Sequence, residues 1–75
     1  MSSVTIYTKP NCVDCNKTKN YMKSKGIEFY EVDMTKDPAA LDYVKSLGFL
    51  RAPVVDANDI WWSGYDEHKI REFCK

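Results

Sequence analysis

The sequence lacks any apolar run approaching the roughly 18 residues that a membrane-spanning helix needs. It also lacks an excess of either charge. Eleven Lys and Arg side chains stand against eleven Asp and Glu, with the signs interleaved rather than blocked. That excludes a large basic footprint for nucleic acid or for an anionic membrane surface. The opening residues, "MSSVTIYT", hold neither a basic leader nor a long apolar stretch, so no secretory signal is read there. The expectation is a cytoplasmic protein in a compartment that keeps thiols reduced. Cysteine is scarce and odd in number, three in the chain, a poor basis for a structural disulfide framework. Histidine occurs once, at His68. A zinc or iron site needs about four ligands in a closed arrangement. Beyond Cys12 and Cys15 the soft donors are Cys74 and His68, which would not share a face of the last helix. No metal and no bound cofactor are therefore expected.

What remains is a chain of 75 residues, enough for one small domain spanning residues 1–75. There is no internal repeat, low-complexity tract or linker, and nothing in the pattern demands a dimer, so a monomer is expected.

Val4–Thr8 ("VTIYT") has the β-branched and aromatic character of a strand. "KPN" breaks it, because Pro10 disfavours helix at Lys9. From about Cys12 to Lys25 the pattern predicts a helix with Cys15, Thr18 and Met22 on one face and Gly26 at its stop. Ile27–Val32 is the expected second strand, apolar enough on both sides to be covered on both faces. Asp37-Pro38 opens a second helix, with Ala40, Tyr43, Val44 and Leu47 at helical spacing and Gly48 at its end. "PVVDANDIWW" predicts a hairpin around a polar turn at Asp56–Asp59. "YDEHKIREFC" predicts a closing amphipathic helix with Ile70 and Phe73 inward. The order β-α-β-α-β-β-α gives the fold class: α/β, one four-stranded mixed sheet flanked by three helices. Chemistry on such sheets gathers beyond the carboxyl ends of the parallel strands. "KPNCVDC" leaves the first strand at that end.

The C-x-x-C pair, Cys12 and Cys15, therefore falls at a strand-to-helix turn. A sulfur at a helix N-terminus meets unpaired amides and the positive end of the macrodipole. Both favour the thiolate, which is the nucleophile. Cys15 follows one turn later, near enough to close a disulfide. Cys12 is the expected attacking thiol and Cys15 the resolving thiol. Lys9 favours the Cys12 thiolate and Asp14 opposes it, so a modestly lowered thiol pKa is expected. Two plainer readings stand beside this one: buried helix cysteines in a non-catalytic interaction module, or a metal or iron–sulfur carrier using Cys12. Cys74 reads as a partly buried terminal thiol.

"YTKPNCVDC", "RAPVV" and "WSGY", in that order and over nearly the whole chain, resemble the NrdH-redoxins, glutaredoxin-sized proteins of the thioredoxin superfamily. The resemblance implies a thioredoxin fold with strand order 2-1-3-4 and a dithiol electron carrier whose catalytic pair falls on Cys12 and Cys15. It implies reduction by thioredoxin reductase, with NADPH behind it, and delivery of electrons to a class Ib ribonucleotide reductase. It places a cis-proline at Pro53, where the backbone of Ala52 would be open to β-type pairing by a partner peptide. The family's W-S-G-F/Y loop falls on Trp62, Ser63, Gly64 and Tyr65. Trp62 is expected at the recognition surface and Trp61 on the opposite face. Gly64 permits positive φ or close backbone approach. Asp66 stands where many glutaredoxins hold glutathione's amino group, and Arg51 also suits glutathione. A glutathione-dependent glutaredoxin is thus the second reading. Asp66 also suits a plain helix N-cap. The "VD" between the cysteines departs from the pairs usual in both families.

Overall fold

The computed structural model describes residues 4–58 and 60–73. Strand β1 (Val4–Thr8) leads to helix α1 (Val13–Ser24), strand β2 (Tyr30–Asp33) and helix α2 (Pro38–Ser46). Strands β3 (Val54–Ala57) and β4 (Ile60–Ser63) follow, and helix α3 (Glu67–Phe73) closes the described chain. The strands form one sheet in the order β2-β1-β3-β4. β1 and β2 are parallel, while β1–β3 and β3–β4 are antiparallel. This is the thioredoxin fold, as the family resemblance implies.

Alternation along the strands divides the interior in two. Val4 and Ile6 of β1, Val55 and Ala57 of β3 and Trp62 of β4 pack with Met22 of α1 and Ile70 of α3. Tyr7, Val54 and Trp61 point the other way, to Val44 and Leu41 of α2 and to Met34 and Phe49. On α1 the predicted stripe of Cys15, Thr18 and Met22 is the buried one.

Both crossover helices end by the same device. Gly26 follows α1 with φ +73° and Gly48 follows α2 with φ +91°. The Ile27 N–H donates to the Met22 carbonyl at 3.0 Å, and the Phe49 N–H to the Val44 carbonyl at 3.3 Å. Each brings the apolar residue after the glycine back onto the core, the Schellman arrangement.

That stop accounts for one correction. β2 begins at Tyr30, not Ile27, because the Ile27 amide is committed to the helix end. Ile27 and Phe29 still pack on the core from irregular backbone. β2 is also an edge strand with Tyr30 exposed, not a strand covered on both faces. Helix α1 starts at Val13, with Cys12 as its N-cap rather than its first residue. On α2, Val44 and Leu41 face the core; Leu47 is largely in water and Tyr43 lies edge-on to Trp61 at 6.0 Å. The hairpin turn is tighter than expected. Ala57 pairs with Ile60, so Asp56 lies within β3 and Asn58, at φ 52°, begins the turn. Asp59, Cys74 and the expectations placed on them fall outside the described residues. No described helix is long and apolar enough to cross a membrane.

Candidate functional site

β1 delivers the chain to its carboxyl end at Thr8. Asn11 then turns it through a left-handed conformation, φ 57°, into Cys12. Asparagine is among the few side chains that tolerate this region. Cys12 holds extended backbone at the N-cap of α1, and its sulfur accepts the Cys15 N–H at 3.1 Å. A sulfur thus takes the place that Ser or Asp oxygens usually fill. One of the unpaired amides of the helix end is aimed at Cys12 Sγ, where negative charge on sulfur would be favoured. The two sulfurs are joined in a disulfide, with Cα atoms 5.2 Å apart. They are not equally accessible: Cys12 keeps 8 % of its surface while Cys15 keeps 1 %.

Against this turn lies the segment entering β3. The Ala52–Pro53 peptide is cis and Pro53 is buried. The Gly64 N–H donates to the Pro53 carbonyl at 2.8 Å, which fastens the loop after β4 to the proline. Gly64 has φ +78°, and a Cβ there would sit 3.7 Å from Arg51 Nε. Arg51 reaches across to Asp14 on the first turn of α1 at 3.7 Å. The Arg51–Asp14 pair and the Gly64–Pro53 bond therefore tie the 51–53 segment and the 63–65 loop to the first turn of α1. Lys9, Arg51 and Ala52 also line an open groove of about 140 Å³ floored by Met34 and Val44 and flanked by the exposed Leu50.

Other expected site residues do something else. Trp62 is 5 % exposed and packs beneath α1 and α3 with Ile6, Met22 and Ile70. It is a core residue and not a recognition surface, because the alternation of β4 turns residue 62 toward the helices. Trp61 is the half-buried tryptophan, stacked with Tyr7 and Phe49 at 6.2 Å each. Ser63 is half-buried. Tyr65, also half-buried, lies edge-on to Tyr21 at 6.2 Å, beneath the Lys17 ammonium at 6.0 Å. Asp66 accepts the Lys69 N–H at 3.1 Å, the N-cap role. Sequence reasoning missed three features: the left-handed Asn11, the Asp14–Arg51 pair and a threonine hydroxyl, Thr18, buried without a partner. Asparagine before the C-x-x-C was the available signal for the first; nothing in the sequence pairs residue 14 with residue 51.

Beyond the sulfurs, the Glu31 carboxylate is held below the ordinary range, chiefly by the Lys19 ammonium at 2.9 Å and also by the Thr8 hydroxyl at 3.0 Å. Among the described residues no group of three or more His, Cys, Asp and Glu side chains is placed to hold a metal ion.

Residues 4–61 match the glutaredoxin family model. The chain belongs to the glutaredoxin family. Within it, the chain is 48% identical over 63 residues to the glutaredoxin-like protein NrdH of Salmonella typhimurium, covering 84% of this chain and 78% of that one. It is 34% identical over 71 residues to the NrdH protein of Lactococcus lactis subsp. cremoris, covering 95% and 99%. Among solved structures, the NrdH-redoxin of Escherichia coli superposes with a TM-score of 0.92 at 36% identity, over 93% of this chain and 92% of that one. The protein is thus a glutaredoxin-like, NrdH-type thiol–disulfide oxidoreductase with a redox-active cysteine pair.

Proposed function

We propose that this glutaredoxin-family protein is a dithiol electron carrier that reduces disulfides in partner proteins, with Cys12 attacking and Cys15 resolving. The observation that carries the assignment is the asymmetry of the two sulfurs. Cys12 caps the helix, accepts an amide and keeps 8 % of its surface, whereas Cys15, one turn inward, keeps 1 %. A thiolate at residue 12 is stabilised by the helix end and can be reached by a substrate. Its attack breaks the partner's disulfide and leaves a mixed disulfide on Cys12. Cys15 then attacks Cys12 Sγ, the substrate sulfur leaves as a thiolate, and the Cys12–Cys15 bond closes. The backbone at Ala52, beside the cis-proline, offers an edge for the extended partner strand, with Ser63, Gly64 and Tyr65 bounding its other side.

We further propose thioredoxin reductase as the electron donor, drawing on NADPH, and a class Ib ribonucleotide reductase as the recipient, in the cytoplasm. The thioredoxin-like activity profile attributed to the Escherichia coli relative supports this choice. So does the state of the two side chains a glutathione molecule would need. Asp66 is engaged as an N-cap and Arg51 is paired with Asp14, which weighs against the glutathione-dependent reading.

One coupled assay separates the two donors. NADPH oxidation should proceed with thioredoxin reductase and a protein disulfide, and should be slow with glutathione and its reductase. Activity with glutathione alone would reject this donor. Cys12→Ser should abolish turnover and Cys15→Ser should accumulate mixed disulfides; turnover retained by Cys12→Ser would overturn the roles of the two thiols.

A further inference from the structure

Among the described residues the hydroxyl of Thr18 is buried without a hydrogen-bond partner. Thr18 lies on α1 three residues after Cys15, on the same buried face, with no exposed surface. Residues three apart on a helix are neighbours, with Cβ atoms about 5–6 Å apart. The Cα–Cβ bonds of a helix tilt toward its N-terminus, so the Thr18 side chain leans back over the turn that holds Cys15. A helical threonine commonly bonds the carbonyl one turn behind it. Here it does not. A hydroxyl left in this state is destabilising. Valine would fill the same space without that cost, so the hydroxyl needs an occasion on which it is used.

Reduction supplies one. In the disulfide, the Cys15 sulfur is at best a weak acceptor. Freed from it, Cys15 becomes a thiol or thiolate with only 1 % of its surface exposed, and a buried anion without a donor is costly. Thr8, the other buried threonine, cannot serve, since its hydroxyl already donates to the Glu31 carboxylate at 3.0 Å. We propose that the Thr18 hydroxyl is the hydrogen-bond donor that holds the Cys15 sulfur in the reduced protein and in the mixed disulfide. The inference rests on the dithiol-carrier reading above. In the resolving step Cys15 loses its proton to water, and its thiolate, held by the Thr18 O–H, attacks Cys12 Sγ. The Cys12–Cys15 bond forms as the bond from Cys12 to the substrate sulfur breaks. That sulfur leaves as a thiolate and takes a proton from water. The cysteine pair loses two electrons over the cycle and the partner's disulfide gains them. Thr18 makes its bond only while Cys15 carries a thiol or a thiolate, so it stabilises the dithiol over the disulfide.

The test compares Thr18→Val, which keeps the shape, Thr18→Ala, a second variant without the hydroxyl, and Thr18→Ser, which keeps it. Each is equilibrated in dithiothreitol redox buffers, and the oxidised fraction is measured by thiol alkylation. Loss of the hydroxyl should favour the disulfide about tenfold, a reduction potential about 30 mV more negative. Release of thionitrobenzoate from a mixed disulfide on Cys12 should slow about tenfold, and its pH profile should move upward because the Cys15 thiolate loses a donor. Thr18→Ser should match the wild type in all three readouts. An unchanged potential in Thr18→Val and Thr18→Ala, a shift toward the dithiol, or a failure of Thr18→Ser to restore the wild-type values would overturn the proposal. Failure of the carrier reading looks different: the wild type would then show no disulfide equilibrium in the same buffers.

Discussion

The Gly64 N–H donates to the Pro53 carbonyl at 2.8 Å, and this bond joins the loop after β4 to the cis-proline at the entry to β3. Gly64 makes it from a left-handed backbone, φ +78°, with the Arg51 side chain 3.7 Å from the position a Cβ would take. Gly64→Ala adds strain of about 1–2 kcal/mol. Its urea midpoint should fall accordingly, and protein-disulfide reduction should lose rate through a raised KM, because the loop bounds the proposed peptide edge. An unchanged midpoint would show that the turn has no need of glycine.

Trp62 should behave as a core residue. Trp62→Ala is expected to cost about 3–5 kcal/mol. Trp62→Phe should cost much less, since the indole N–H is buried without a partner and its loss removes a penalty. Chemical denaturation of both variants measures the difference. A Trp62→Phe protein of unchanged stability but sharply raised KM for its reductase would return this residue to the recognition surface.

Asn11 sets the angle at which the chain enters the capping cysteine. Asn11→Gly should be close to neutral, because glycine also accepts φ 57°. Asn11→Val should lose about 1–2 kcal/mol or more and shift Cys12 off the helix end. The readout is the rate of Cys12 alkylation in the reduced protein at neutral pH, expected to fall in the valine variant alone. Equal rates in all three proteins would sever the link between this turn and the thiol.

The Lys19–Glu31 pair carries a pH signature. The folded pKa of Glu31 is depressed, most by the Lys19 ammonium and further by the Thr8 hydroxyl, against burial, which raises it. A depressed carboxyl stabilises the fold fully above its unfolded pKa, about 4.3, and that contribution disappears as pH falls through the folded value. The Glu31 side chain is 42% exposed, so the pair contributes under about 1 kcal/mol at neutral pH. Lys19→Met should lower the urea midpoint slightly at pH 7, and the gap from wild type should close in acid. A gap of constant size from neutral pH into acid would mean that the methionine acts through packing rather than charge.

Much of this molecule is legible in its sequence. Two periodicities and two glycine stops marked the crossover helices, and the spacing of Cys12 and Cys15 put two sulfurs on one turn beyond a parallel strand. These are local properties, fixed within a few residues by backbone sterics and side-chain alternation. Asp37 and Asp66 cap their helices as their propensities predict. The errors arose where distance along the chain mattered. Ile27 looked like strand, but its amide closes α1. Trp61 and Trp62 are adjacent and chemically alike, and only the facing of β4 decides which is buried. The Arg51–Asp14 pair, the Gly64–Pro53 bond and the unpartnered Thr18 hydroxyl each depend on what packing brings near. The order of residues determined the chemistry available at the helix end. The tertiary structure decided which cysteine keeps more of its surface, which tryptophan is core and which hydroxyl is buried without a partner, because burial and facing are set by every element around a residue and not by its neighbours in sequence.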